Sequence, residues 1–122
     1  MIKTYAKGAA KERELLHHLN SKGFSVIRAA SSGCHLYPAD VVAMRRGNII
    51  ALECKAWSKK PSIEMEKLER FAEWCQTAGA AGFIAWRTSG DWLFLRLEDA
   101  LQKRHGDGNW IGLQMFLKIF CA

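Results

Sequence analysis

The stretch Asp40-Val41-Val42-Ala43-Met44-Arg45-Arg46-Gly47-Asn48-Ile49-Ile50-Ala51-Leu52-Glu53-Cys54-Lys55-Ala56 decides how the chain is read. Two apolar, β-branched runs flank Arg45-Arg46-Gly47-Asn48, the pattern of a hairpin with Asp40–Met44 paired to Ile49–Ala56. Side chains alternate along the second run, so Ile49, Ala51, Glu53 and Lys55 share one face and Ile50, Leu52, Cys54 and Ala56 take the other. Glu53 and Lys55 therefore stand side by side in a strand apolar enough to be central. A carboxylate there is costly unless something compensates it.

On the N-terminal side, Phe24–Ala29 reads as a further strand, joined to the hairpin by the small-residue loop Ala30-Ser31-Ser32-Gly33-Cys34-His35-Leu36-Tyr37-Pro38. Before it, a helix is predicted from about Gly8 to Lys22, stopped by Gly23. Its apolar stripe is Leu15, Leu16 and Leu19, and Glu12 completes the same i, i+3, i+4, i+7 set. This is a second carboxylate aimed at a core.

On the C-terminal side, Pro61 and Ser62 open a helix with Glu64 and Glu66 near its positive end, Leu68, Phe71, Ala72 and Cys75 as its buried stripe, and Gly79 as its stop. Strands are expected at Ala81–Arg87 and Trp92–Leu97, turning through Thr88-Ser89-Gly90-Asp91, and a short helix over Glu98–Arg104. Ile111–Phe120 fits two periods: 113, 116, 117 and 120 suit a helix, whereas 111, 113, 115, 117 and 119 suit a strand. The order αβββαββα gives an α/β fold with a mixed sheet of about five strands flanked by helices.

The chain has 122 residues and reads as a single domain, 1–122, with enough length for a core free of disulfide or metal staples. Hydrophobic residues at 49% and charged residues at 25% exclude a disordered chain. The net charge of +6 favours a polyanionic partner. That charge is uneven. Residues 1–61 carry eleven basic and four acidic side chains, a net of +7, while residues 62–122 carry seven and eight, a net of −1. The four acidic residues of the basic half are Glu12, Glu14, Asp40 and Glu53. No signal-peptide core and no transmembrane run appear, which implies no membrane partner. Cys34, Cys54, Cys75 and Cys121 form no C-x-x-C pair, which suits reduced thiols in a cytoplasm and leaves a zinc finger without ligands.

Glu12, Asp40 and Glu53 are expected to converge. A few carboxylates with positions left to water suit Mg²⁺, and Lys55 adds a cation where a phosphate would lie. Activated water and a stabilising ammonium together suit phosphodiester hydrolysis.

Pro38-Ala39-Asp40 followed by Glu53-Cys54-Lys55 resembles the PD-(D/E)XK nuclease signature, with Ala39 inserted between the usual Pro and Asp. Adding Lys7-Gly8-x-x-x-Glu12-Arg13-Glu14-Leu15 and Arg28-Ala29-Ala30-Ser31-Ser32-Gly33, the set is similar to the archaeal-type Holliday-junction resolvases over about residues 7–87. The resemblance implies a restriction-endonuclease-like fold and a dimeric endonuclease that cuts four-way junction DNA in recombination and repair, with Mg²⁺ as cofactor and Mn²⁺ as an alternative. It implies Glu12, Asp40, Glu53 and the Cys54 carbonyl as metal ligands, Lys55 as the residue that orients water, and Ser32 near the scissile phosphate. It also implies a cytoplasmic, nucleoid-associated place, in an archaeal cell or a virus-infected host.

Lys7, Lys11, Arg13, Arg28, Arg45 and Arg46 are the expected DNA-phosphate contacts. Two symmetric cuts require two sites, hence a C₂ homodimer. Phe116, Leu117, Ile119, Phe120, Trp86, Trp92 and Phe94 are candidate interface residues. Other nucleases of the same fold, of restriction or repair-nicking type, and a non-cutting basic DNA-binding module are the competing readings.

Overall fold

The structure is a computed structural model and describes residues 2–29, 38–55, 63–88, 90–104 and 106–121. The first helix, α1, runs Ile2–Ser21, six residues earlier than its apolar stripe predicts. Strands β1 (Ser25–Arg28), β2 (Val41–Arg45) and β3 (Asn48–Lys55) follow, then α2 (Met65–Ala78), β4 (Ala80–Thr88), β5 (Asp91–Arg96) and α3 (Leu97–Leu101). A 3₁₀ turn at Asp107–Asn109, the two-residue strand β6 (Ile111–Gly112) and α4 (Leu113–Cys121) complete the chain. The predicted Pro61–Ser62 helix start lies outside the described residues.

The six strands form one sheet in sequence order, antiparallel throughout except for β3 and β4, which run parallel. That single parallel pair is why α2 exists: parallel neighbours need a crossover, and α2 supplies it. The sheet has six strands rather than about five because Ile111 and Gly112 pair with Phe94 and Leu93 at its edge.

The hairpin turn is as tight as the sequence suggests. Arg45 pairs with Asn48, and Arg46 and Gly47 take φ of 51° and 85°, a two-residue turn with both centres left-handed. Gly79 ends α2 in the left-handed conformation at φ 72° and donates its N–H to the last carbonyls of the helix.

Two cores sit on opposite faces of the sheet. Leu15 and Leu19 of α1 and Phe116 and Leu117 of α4 pack on Ile50, Leu52, Phe83 and Phe94. Leu68, Phe71 and Cys75 of α2 and Ala100 of α3 pack on Ala51, Ile84 and Leu95. The alternation read along β3 is thus a real division: Glu53 belongs to the α2 side and Cys54 to the α1 side. The C-terminal ambiguity resolves in favour of the helix, because only its 113, 116, 117, 120 face delivers Phe116 to the rings of Phe83 and Phe94.

This placement corrects the expected interface. Trp86, Trp92, Phe94, Phe116 and Leu117 are buried within the monomer's own core. Of the apolar tail, Ile119 is exposed, together with Met115 one turn earlier. Among the described residues no helix is long and apolar enough to cross a membrane.

Candidate active site

Asp40 sits one residue before β2 and is fixed by the sheet on both sides. Its N–H donates to the Leu52 carbonyl and its own carbonyl accepts from Ala29, each at 2.8 Å. Its carboxylate Oδ2 accepts the Cys54 N–H at 2.7 Å, a charge-assisted bond that holds the side chain across β3. Glu53 lies next to that amide. Asp40 and Glu53 are the buried charged side chains among the described residues, each only 4% exposed.

Two like charges share this desolvated place, and the consequence falls on Glu53. Burial and the neighbouring Asp40 charge raise its pKa from 4.5 to about 7, against the lowering effect of Lys55 and Lys67. Its Oε1 lies 3.4 Å from Lys55 Nζ and 3.6 Å from Lys67 Nζ. Its Oε2 is buried with no hydrogen-bond partner. An orphaned, buried carboxylate oxygen beside a second carboxylate is the donor chemistry of a hard divalent cation.

The raised Glu53 pKa makes a stability prediction. A carboxyl that holds its proton more tightly folded than unfolded contributes stability below about 4.5, and that stability is lost as pH rises through about 7. In EDTA, the wild-type melting temperature should therefore fall relative to that of Glu53→Gln between about pH 5 and about pH 8. Parallel melting curves for the two proteins across that range would contradict this.

Glu12 comes to the same end of the sheet but is already engaged. Arg28 of β1, which pairs with Val41 of β2, donates from Nε to Glu12 Oε1 at 2.7 Å. Burial and the charge of Asp40 raise the Glu12 pKa, and Arg28 opposes that rise. The thiol of Cys54 registers all three carboxylates: burial first, then Asp40, Glu12 and Glu53, push it well above 9.0. Among the described residues, however, no three His, Cys, Asp or Glu side chains are arranged to hold a metal ion. Asp40 and Glu53 form the core of the site, with Glu12 beside them and drawn to Arg28.

The other expected residues scatter. Ser32 lies outside the described residues, as does the side chain of Lys7. Lys11 is half-buried and Arg13 exposed on the same α1 turns as Glu12. Arg45 and Arg46 are at the hairpin turn, five or more residues along the strands from Asp40, which at ~3.3 Å per residue is ~17 Å or more. Arg45 also donates to the Phe120 carbonyl at 3.4 Å, holding the end of α4.

Two pairings were not anticipated. Glu14 does not point idly into solvent: both its oxygens accept from Arg87 of β4, at 3.0 and 3.2 Å, tying α1 to the sheet. Lys67 reaches Glu53 from α2, an element of the acidic half of the chain. Its one sequence signal is position, since a cation in the first turn of a helix opposes the helix dipole and needs a nearby anion.

Comparison with known proteins matches this architecture to one family. The family model described as archaeal Holliday junction resolvase (Hjc) matches residues 3–115. The crossover junction endodeoxyribonuclease Hjc of Methanocaldococcus jannaschii is 36% identical over 92 residues, covering 75% of this chain and 66% of that protein. The protein of the same name from Sulfolobus acidocaldarius is 35% identical over 109 residues, covering 86% of this chain and 75% of its own length. The solved structure of Archaeoglobus fulgidus Hjc, a Holliday junction resolvase, superposes with a TM-score of 0.66 at 28% identity, over 75% of this chain and 78% of that one. The mixed sheet is accordingly the restriction-endonuclease-like one expected from the sequence. The chain belongs to the archaeal Holliday junction resolvase family, the crossover junction endodeoxyribonucleases.

Proposed function

We propose that this resolvase cuts four-way DNA junctions at the Asp40–Glu53–Lys55 site, by hydrolysis of one phosphodiester in each of two opposed strands. The observation that carries the reading is the buried carboxylate pair with an unpartnered Glu53 oxygen, flanked by Lys55. Asp40 and Glu53, joined by Glu12 and the Cys54 carbonyl, would hold Mg²⁺, with Mn²⁺ as an alternative. When bound, the ion supplies Lewis acidity and eases deprotonation of water.

The chain's own residues do the rest. The Cys54 N–H and the two strand bonds hold the Asp40 carboxylate still, so little reorganisation is needed at the moment of reaction. The Lys55 ammonium orients the attacking water and stabilises charge on the phosphate as the water oxygen bonds to phosphorus and the bridging P–O bond breaks. Burial on the α2 side keeps bulk water from screening these charges.

Residues 1–122 act as one nuclease domain. The protein works as a homodimer, since one chain carries one such site and a symmetric junction presents two equivalent strands. Ser32 approaches the scissile phosphate. Lys7, Lys11, Arg13 and Arg28 contact the junction arms near the site, and Arg45 and Arg46 contact an arm further out. A cytoplasmic, nucleoid-associated place follows from the substrate.

The test is incubation with four-way junctions and with matched linear duplex, in Mg²⁺ or in EDTA. Paired nicks on opposed strands are expected with metal only. Equal cutting of linear duplex would point to another nuclease activity on this fold, and binding without cutting in every condition to a non-catalytic module.

A further inference from the structure

The charges around Glu53 are arranged for more than mutual neutralisation. Lys55 and Lys67 both pair with Glu53, while Arg28 pairs with Glu12. Both ammonium groups face the same oxygen, Oε1, and leave Oε2 without a partner. At 3.4 and 3.6 Å, both ion pairs are longer than the roughly 2.7–2.9 Å of a formed charge-assisted hydrogen bond. The two lysines also differ in depth. The Lys55 side chain is 16% exposed and that of Lys67 is 30% exposed, against 5% for Glu53. Lys67 thus stands nearer the mouth of the site, on a long flexible stem, and reaches it from α2 rather than from the sheet.

We infer that Lys67 is a second phosphate-binding residue of this active site, its ammonium moving from Glu53 to a non-bridging oxygen of the DNA strand being cut. A divalent ion that neutralises Glu53 releases the Lys67 ammonium from its pairing there, and a phosphodiester anion is what it can take up. The positive end of α2 favours the same anion. The inference rests on the nuclease reading of the site, and it extends the DNA surface from the basic N-terminal half onto α2.

Salt dependence of junction binding tests it, measured in Ca²⁺, a hard divalent ion that can neutralise the carboxylates, with the recovered junction checked by gel to be uncut. Each phosphate contact contributes about 0.9 to the slope of log K against log salt concentration. Lys67→Gln is expected to weaken junction binding about 5- to 10-fold at low salt and to flatten the slope by about one contact, whereas Lys67→Arg keeps the wild-type slope.

The same substitution in a Glu53→Gln background separates the two roles. A lysine that serves only as the counter-ion of Glu53 has nothing left to do there, so Lys67→Gln would leave the slope unchanged. A phosphate-binding Lys67 flattens it again. A slope equal to the parent in the Glu53→Gln background would overturn the inference, whatever the wild-type background shows. Failure of wild type to cut junctions in Mg²⁺ would instead overturn the nuclease reading, whatever the slopes.

Discussion

Replacing Asp40 by Asn is expected to reduce junction cleavage by roughly 10²–10³-fold or more, while the protein stays folded and still binds the junction. The substitution keeps the shape and one acceptor oxygen. The Cys54 N–H, now 2.7 Å from Oδ2, can therefore keep a partner, and the backbone bonds of residue 40 to Leu52 and Ala29 are untouched. What is lost is one of the two buried negative charges that make the place attractive to a divalent cation. Junction affinity in EDTA should stay level or rise, because a negative charge has been removed from a DNA-facing site.

Asp40→Ala makes the contrast. It strands the Cys54 amide, and a buried donor left without a partner costs about 1–3 kcal/mol, so this variant loses stability as well as activity. Single-turnover cleavage rates beside melting temperatures separate the two effects. Cleavage by Asp40→Asn at the wild-type rate would remove Asp40 from the chemistry.

The largest effect on stability is expected from Phe116→Ala, about 3–5 kcal/mol. Phe116 is fully buried and lies at the centre of a ring cluster. It stacks on Phe94 with centroids 4.0 Å apart and planes 11° apart, and meets Phe83 edge-on at 5.1 Å and Phe120 at 5.1 Å. Truncation removes the stacked partner of Phe94 and opens a cavity that these rings cannot all collapse into.

For a domain whose whole stability is of the order of 5–15 kcal/mol, that loss is a large fraction. It should appear as a lowered denaturant midpoint and as lost exchange protection in α4. Met115→Ala and Ile119→Ala, on the exposed side of the same helix, should change stability by no more than about 0.5 kcal/mol. Equal losses at Phe116 and Met115 would mean that α4 does not hold the sheet through its ring face.

Much of the site could be read without coordinates, because it is written in local periods. The two-residue alternation of β3 puts Glu53 and Lys55 on one face, and the 3.4 Å pair between them follows from that alone. The helical period puts Glu12 on the stripe of Leu15 and Leu19, both of which are fully buried. The Gly79 stop and the Arg46-Gly47 turn were equally local, since backbone conformation at one or two residues decides them. The match of the carboxylate motif to a nuclease family then supplied the junction.

What remained illegible involves residues far apart in the chain. Arg28 meets Glu12 across 16 positions, Glu14 is held by Arg87 across 73, and Lys67 meets Glu53 from the crossover helix itself. No spacing rule along the chain encodes such encounters. They depend on which helix covers which face of the sheet and on how far along a strand it crosses. The same holds for the C-terminal segment, where two periods fit equally well until the rings of Phe83 and Phe94 offered a place for Phe116.

The sequence by itself therefore determined most of the elements, their faces and the apolar setting of Asp40 and Glu53, because each depends on neighbours within a turn or a strand. Only the tertiary structure decided which cations stand beside them and whether the aromatic tail lies inside or outside, because burial and charge pairing are properties of packed surfaces brought together by the fold.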